Sequence, residues 1–156
     1  MKRRIHSLLM CLCLVAATST TDRWAHGALG ESSDSVETDR KALSAERHAA
    51  TVHTAYTIHE IKSDASTIRE FVSSSGIVFA IAWNGLSHPD LTPLLGVYAD
   101  EFKQAQRRMP RADGRKHLEI KAERVVVERW GHMRNQQGRA YLPALVPNGV
   151  TINEIK

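Results

Sequence analysis

Residues 55–83 read AYTIHEIKSDASTIREFVSSSGIVFAIAW, the densest run of β-branched and aromatic residues in the chain. The first run, Tyr56 to Lys62, alternates: Tyr56, Ile58 and Glu60 would face one side of a strand, Thr57, His59 and Ile61 the other. Lys62 to Ser66 is small and polar and breaks the pattern. A second run, Thr67 to Ser73, carries Ile68, Phe71 and Val72, and Gly76 after it can supply the positive φ of a tight hairpin with a bulge. The third run, Ile77 to Trp83, is almost wholly apolar. Its alternation puts Ile77, Phe79, Ile81 and Trp83 on one large face and Val78, Ala80 and Ala82 on a smaller one. A strand apolar on both sides belongs at the centre of a sheet covered on both faces. The stretch therefore predicts an antiparallel meander with its third strand deepest.

Downstream, Asn84-Gly85 ends that strand and Ser87 to Asp90 prepares a helix. With Asp90 or Thr92 as N-cap, Pro93 falls in the first turn, where its missing N–H costs little. Leu91, Leu94, Leu95, Tyr98 and Phe102 recur at helical spacing and form the strongest apolar stripe in the chain, ending near Met109-Pro110. This helix is the natural partner of the large face of the third strand. His117 to Lys121 and Arg124 to Trp130 read as further strands. Asn135 to Gly138 has turn composition, so Trp130–Arg134 is expected to pair with Arg139–Leu145, with Pro143 marking an edge strand.

Upstream, Asp34 and Glu37 form a capping-box-like pair for a weaker helix from Asp34 to His48. The first residues carry the clearest targeting signal. Lys2-Arg3-Arg4 is a basic start and LLMCLCLVAA (Leu8–Ala17) an apolar core too short to span a bilayer. Residues 1–27 are expected to be a signal peptide cleaved before Ala28, although Ala17 or Ser19 also offers a cleavage point. The remaining 28–156 form one domain, periplasmic or secreted, with no stable membrane span. The net charge of +4 belongs mostly to that leader. Without it the chain holds 17 basic against 16 acidic residues, which is no argument for binding nucleic acid. Both cysteines, Cys11 and Cys13, lie in the leader, so the mature chain can form neither a disulfide nor a thiolate metal site.

Four blocks resemble one family of small exported proteins of Gram-negative bacteria, known as domain of unknown function 2844. They are YTIHEI (Tyr56–Ile61), REFVSSSGIVFAIAWNG (Arg69–Gly85) with PDL (Pro89–Leu91), GHMR (Gly131–Arg134) and GRAYLPALVPNGV (Gly138–Val150). The resemblance spans the mature chain in order. It implies an exported, soluble, single-domain protein and no activity, and no catalytic or binding residue is carried over from it.

Residue chemistry narrows the functional classes. His59-Glu60 would open a zinc-protease H-E-x-x-H helix, but the last position is Ser63 and the segment alternates as a strand. Among His48, His53, His59, His88, His117 and His132 no pair has a ligand spacing. The serines before Gly76 lack the G-x-S-x-G elbow, and no Gly-rich loop opens a helix, so neither a metal nor a nucleotide cofactor is expected. A hydrolase would have to assemble its site from His59 or His132 and a carboxylate such as Glu60 or Glu70. If Glu60 pairs with Arg69, the two make a cross-strand ion pair. A shifted register would instead bring Glu60 near Glu70 and raise one carboxyl pKa. Arg107, Arg108, Arg111, Arg115 and Lys116 read as a solvated connection, with an anionic envelope surface as the other reading.

The segment that stands out is the predicted hairpin with Trp130, His132, Arg134, Arg139 and Tyr141, because aromatics beside arginine suit a recognition surface. A core role for Trp130 and Tyr141 with solvated arginines is the competing reading. The expected architecture is α+β: an antiparallel sheet of five or six strands, packed by the amphipathic helix and the weaker N-terminal one. The expected function is non-enzymatic binding or assembly with another envelope protein. A hydrolase and a small-ligand carrier, with a cavity under Tyr98 and Trp83, are the alternatives.

Overall fold

The computed structural model describes residues 29–33, 41, 46–110 and 117–156. Seven antiparallel strands form one sheet: β1 (Glu46–Val52), β2 (Tyr56–Lys62), β3 (Ser66–Ser73), β4 (Val78–Gly85), β5 (His117–Lys121), β6 (Val126–His132) and β7 (Asn135–Tyr141). Their order is β1-β2-β3-β4-β7-β6-β5, so β4 is the middle strand, as its two-sided apolar pattern requires. The sheet is thus two local meanders, 1-2-3-4 and 5-6-7, joined by the pairing of β4 with β7.

The α+β reading stands, but the sheet has seven strands rather than five or six. The extra one is β1. It overlaps the end of the predicted N-terminal helix, since residues 46–48 are strand; the rest of that helix, apart from Lys41, lies outside the described residues. Pairing with the open edge of β2 satisfies the backbone groups of residues 46–52 that point toward that strand, and those of β2 that face them, which outweighs a weak helical pattern.

The amphipathic stripe folds as two helices rather than one, α1 (Leu91–Leu95) and α2 (Ala99–Arg108), joined by a 3-10 turn at Gly96–Tyr98. Asp90 caps α1, its Oδ1 accepting from Thr92 N at 2.8 Å. Gly96, at φ 50°, closes α1 in a conformation that a side chain would disfavour. Leu91, Leu94, Leu95, Ala99 and Phe102 are buried against Ile81, Trp83, Ile120 and Val127 of the sheet. Glu101 ties α2 to the β5–β6 turn, accepting from Arg124 N at 2.6 Å and from Arg124 Nε at 2.9 Å.

The opposite face of the sheet buries Tyr56, Phe71, Phe79, Ala80, Ala82, Val126 and Tyr141 under the C-terminal segment, with Ile155 at its centre. This corrects the expected faces of β4. Pairing runs one to one from Ser66↔Gly85 to Phe71↔Ala80 and then jumps to Val72↔Val78, leaving Phe79 as an extra residue. The bulge reverses the alternation at that point. Val78, Ile81 and Trp83 therefore face the helices, whereas Phe79 and Ala80 face the C-terminal segment.

Candidate functional site

The first hairpin settles the register of the charged residues. Glu60 lies opposite Arg69 and His59 opposite Glu70. Arg69 Nε approaches Glu60 Oε2 at 3.3 Å, the cross-strand ion pair rather than the paired carboxylates. Alternation puts His59 with Ile61 toward the helices and Glu60 with Ile58 toward the C-terminal segment, so those two neighbours cannot share a site.

The second hairpin turns two residues earlier than its composition suggests. Met133-Arg134 is the loop, and His132 pairs with Asn135, Trp130 with Gln137 and Arg129 with Gly138. Arg134 takes φ 65°, an uncommon conformation for a residue with a side chain. β7 is an interior strand between β4 and β6 rather than an edge, because Pro143 lies beyond its end in a short 3-10 turn, Pro143–Leu145.

This register puts Trp130, Arg139 and Tyr141 on the face covered by the C-terminal segment, with different roles. Tyr141 is buried, and its hydroxyl donates to Glu128 Oε1 at 3.4 Å. Burial, followed by the nearby Glu128 charge, pushes its pKa above the usual tyrosine value. Arg139 Nη2 pairs with Glu128 Oε2 at 2.8 Å, with side chains only 14% and 8% exposed. Arg139 Nη1 also donates to the carbonyl of Ile152 at 2.6 Å, tethering the C-terminal segment. Tyr56 OH donates to Glu154 Oε2 at 3.3 Å, a second tether from β2. These groups are structural clamps. His132 is exposed, its Nδ1 3.2 Å from the Met133 carbonyl, and Arg134 is exposed at the tip.

Trp130 is the half-buried member and forms a wall. Its Nε1 donates to Gln137 Oε1 at 3.1 Å, His117 stacks on it across β5 with ring centres 6.2 Å apart, and the Arg139 guanidinium lies 5.5 Å from its ring centre. Beside it opens a depression of about 440 Å³ lined by Arg69, Asn84, Asn135, Gln137 and Lys156. Asn84 Oδ1 is buried there and accepts no hydrogen bond among the described residues. Sequence reasoning missed Arg69, Asn84, Gln137 and Lys156, which come from strands and a terminus far apart in the chain. The available signal was the polar alternation of Gln137 and Arg139 opposite Trp130 and Glu128, once the turn is placed at Met133-Arg134.

A further depression, about 210 Å³, lies between the helices and β6 and is lined by Leu91, Leu95, Phe102 and Arg129. Neither Tyr98 nor Trp83, expected to roof a carrier cavity, lines it. Trp83 is buried, and its Nε1 donates to His88 Nδ1 at 2.9 Å. Among the described residues no group of three His, Cys, Asp or Glu side chains is placed to hold a metal ion, and no helix is long and apolar enough to cross a membrane.

The sequence model of the family described as protein of unknown function (DUF2844) matches residues 25–155, and the chain belongs to it. A search of curated proteins finds no match. Among solved structures, the chain is similar to a cysteine-rich secretory protein from Staphylococcus aureus, with a TM-score of 0.49 and 7% identity over 76% of this chain. The match spans 46% of the staphylococcal chain.

Proposed function

We propose that this protein is exported, with residues 1–27 removed before Ala28, and acts in the periplasm or outside the cell as a non-enzymatic binding protein. Its partner is a polar group on another envelope protein, received in the depression beside Trp130. The observation that carries this reading is the lining of that depression. The indoles of Trp130 and Trp83, three amide side chains and the cations Arg69 and Lys156 converge on it, a composition suited to recognition rather than to bond breaking.

A photo-crosslinking residue placed at Met133, which is 84% exposed at the rim-side tip, tests this in the organism's own periplasm. One discrete protein adduct is expected, and Trp130→Ala should abolish it while the melting curve stays cooperative. An adduct indifferent to Trp130→Ala, or none, sinks the reading. Export has its own test: secreted material should begin at or near Ala28, and an intact Met1 would refute cleavage.

The hydrolase reading keeps one geometric support, because His59 lies directly across the strands from Glu70, which is fully buried. Neither residue lines the depressions described above. If His59→Ala abolished hydrolysis of a chromogenic ester by the purified protein, this second reading would displace the first.

A further inference from the structure

Arg129 is the least satisfied cation among the described residues. Alternation along β6 turns it away from Trp130 and toward the helices, where its guanidinium lies 5.5 Å from the Phe102 ring centre. Its Nε is buried without a hydrogen-bond partner, and no ion pair or hydrogen bond of the guanidinium forms among the described residues. Burial disfavours its charged form, yet arginine stays protonated in proteins, so the charge remains and a counter-charge in the cleft would offset that cost. An aromatic face offsets only part of that cost.

The surrounding cleft has the features of a receptor for that counter-charge. Leu91, Leu95, Ala99 and Phe102 give it an apolar floor, and Lys103 and Gln106 of α2 add a second cation and an amide donor. Asp90 is also on the lining, its Oδ1 accepting from the Thr92 amide at 2.8 Å, so the cleft holds two cations, Arg129 and Lys103, against one carboxylate and keeps a net positive charge. At about 210 Å³ the cleft lies below the roughly 300–1,000 Å³ of drug-sized pockets, so its ligand is short. A planar guanidinium matches a carboxylate in bidentate fashion.

We propose that the cleft between α1–α2 and β6 binds a short aliphatic carboxylate. Its head pairs with Arg129 and Lys103 and its chain covers Leu91, Leu95 and Phe102. This site faces away from the Trp130 depression, and neither proposal depends on the other.

Titrating the full mature chain with hexanoate, followed by backbone amide NMR, tests it. Saturable shifts are expected at Leu91, Phe102 and Arg129, with affinity reduced about tenfold in Arg129→Gln and less in Lys103→Gln. His88 gives a readout in the unaltered protein. The Arg129 charge helps to hold the His88 pKa down, so bound hexanoate should move its ring titration to higher pH. No saturable shift, an unmoved His88, or equal binding by folded Arg129→Gln overturns the site. Inorganic phosphate binding as tightly as hexanoate at the same resonances overturns the aliphatic half of the assignment.

Discussion

Arg139 and Glu128 face each other across β7 and β6, 2.8 Å apart and almost out of solvent, and the same guanidinium holds the Ile152 carbonyl of the C-terminal segment. Two interior strands and the segment beneath them thus depend on one side chain.

Arg139→Met should therefore cost about 3 kcal/mol, because it leaves the Glu128 carboxylate buried without its cation. Urea unfolding measures this. The double variant Glu128→Gln, Arg139→Met should lose less than the two single losses combined, since it removes both charges. Strict additivity would show that the two side chains act independently.

Gly138 is required by Trp83. A Cβ at this position would collide with Cζ2 of the indole and lie 2.6 Å from the Glu128 carbonyl oxygen. Neither can retreat, since Trp83 is fully packed and Glu128 is in the ladder. Gly138→Ala should destabilise by about 1–3 kcal/mol and alter the tryptophan emission spectrum. An unchanged melting temperature with unchanged emission would contradict this packing.

Trp83 also makes stability depend on pH. His88 accepts the indole proton at Nδ1, so it must be neutral in the native state. Burial first, and then the Arg129 charge, hold its pKa below the ordinary 6.5, while a hydrogen bond that the ring donates to Gln136 works the other way. A depressed native pKa means that the unfolded chain binds more protons in this window. The stabilisation is complete above 6.5 and is lost as pH falls through the native value. Unfolding free energies measured from about pH 7.5 down to about pH 5 should fall more steeply for the natural protein than for His88→Gln, which keeps an acceptor without titrating. Parallel curves would exclude the linkage.

Glu101 gives a second acid dependence at lower pH. Burial alone would raise its pKa, but the Arg124 amide, guanidinium and charge outweigh burial and hold it below the ordinary 4.5. Its contribution is full above that value and disappears as pH falls through the lower native one. With Arg124 largely exposed, the contribution is about 1 kcal/mol or less. Acid unfolding of Glu101→Gln, followed by circular dichroism, should start from lower stability and show a shallower slope.

Arg134 is the opposite case, a residue that the fold tolerates rather than uses. Its φ of 65° costs a side-chain-bearing residue about 1–2 kcal/mol, part of which glycine returns as lost chain entropy. Arg134→Gly should raise stability by about 0.5–1 kcal/mol in thermal unfolding. Destabilisation would mean that the guanidinium holds the tip in place.

The sequence was legible where period and environment agree. Tyr56–Lys62 and His117–Lys121 alternate cleanly and are strands with those bounds, and Asp90 caps its helix. It was misleading where two residues are chemically alike but geometrically different. Phe79 and Ala80 are both apolar, so nothing in their identity marks the bulge that places them on one face. Asn135 to Gly138 has the composition of a turn, yet it is strand, because Gly138 is there to make room for Trp83. The same error displaced the site. Arg139, read as solvated or as part of a recognition surface, turns inward to Glu128, as does Tyr141, for which a core role was the other reading, while Asn84 reaches the depression beside Trp130 together with Arg69, expected only as the ion-pair partner of Glu60.

The division of the sheet into two meanders bears on how the chain assembles. Each meander can zip from short local turns, but the β4–β7 seam must wait until Gly85 meets Gln136, closing a loop of about 50 residues. The last stretch of chain then straddles that seam, bonded to Arg139 of β7 on one side and to Tyr56 of β2 on the other. It works as a clasp fastened after the halves have met. Fraying of the C-terminus would therefore loosen the join between the two halves before either half loses its own hairpins.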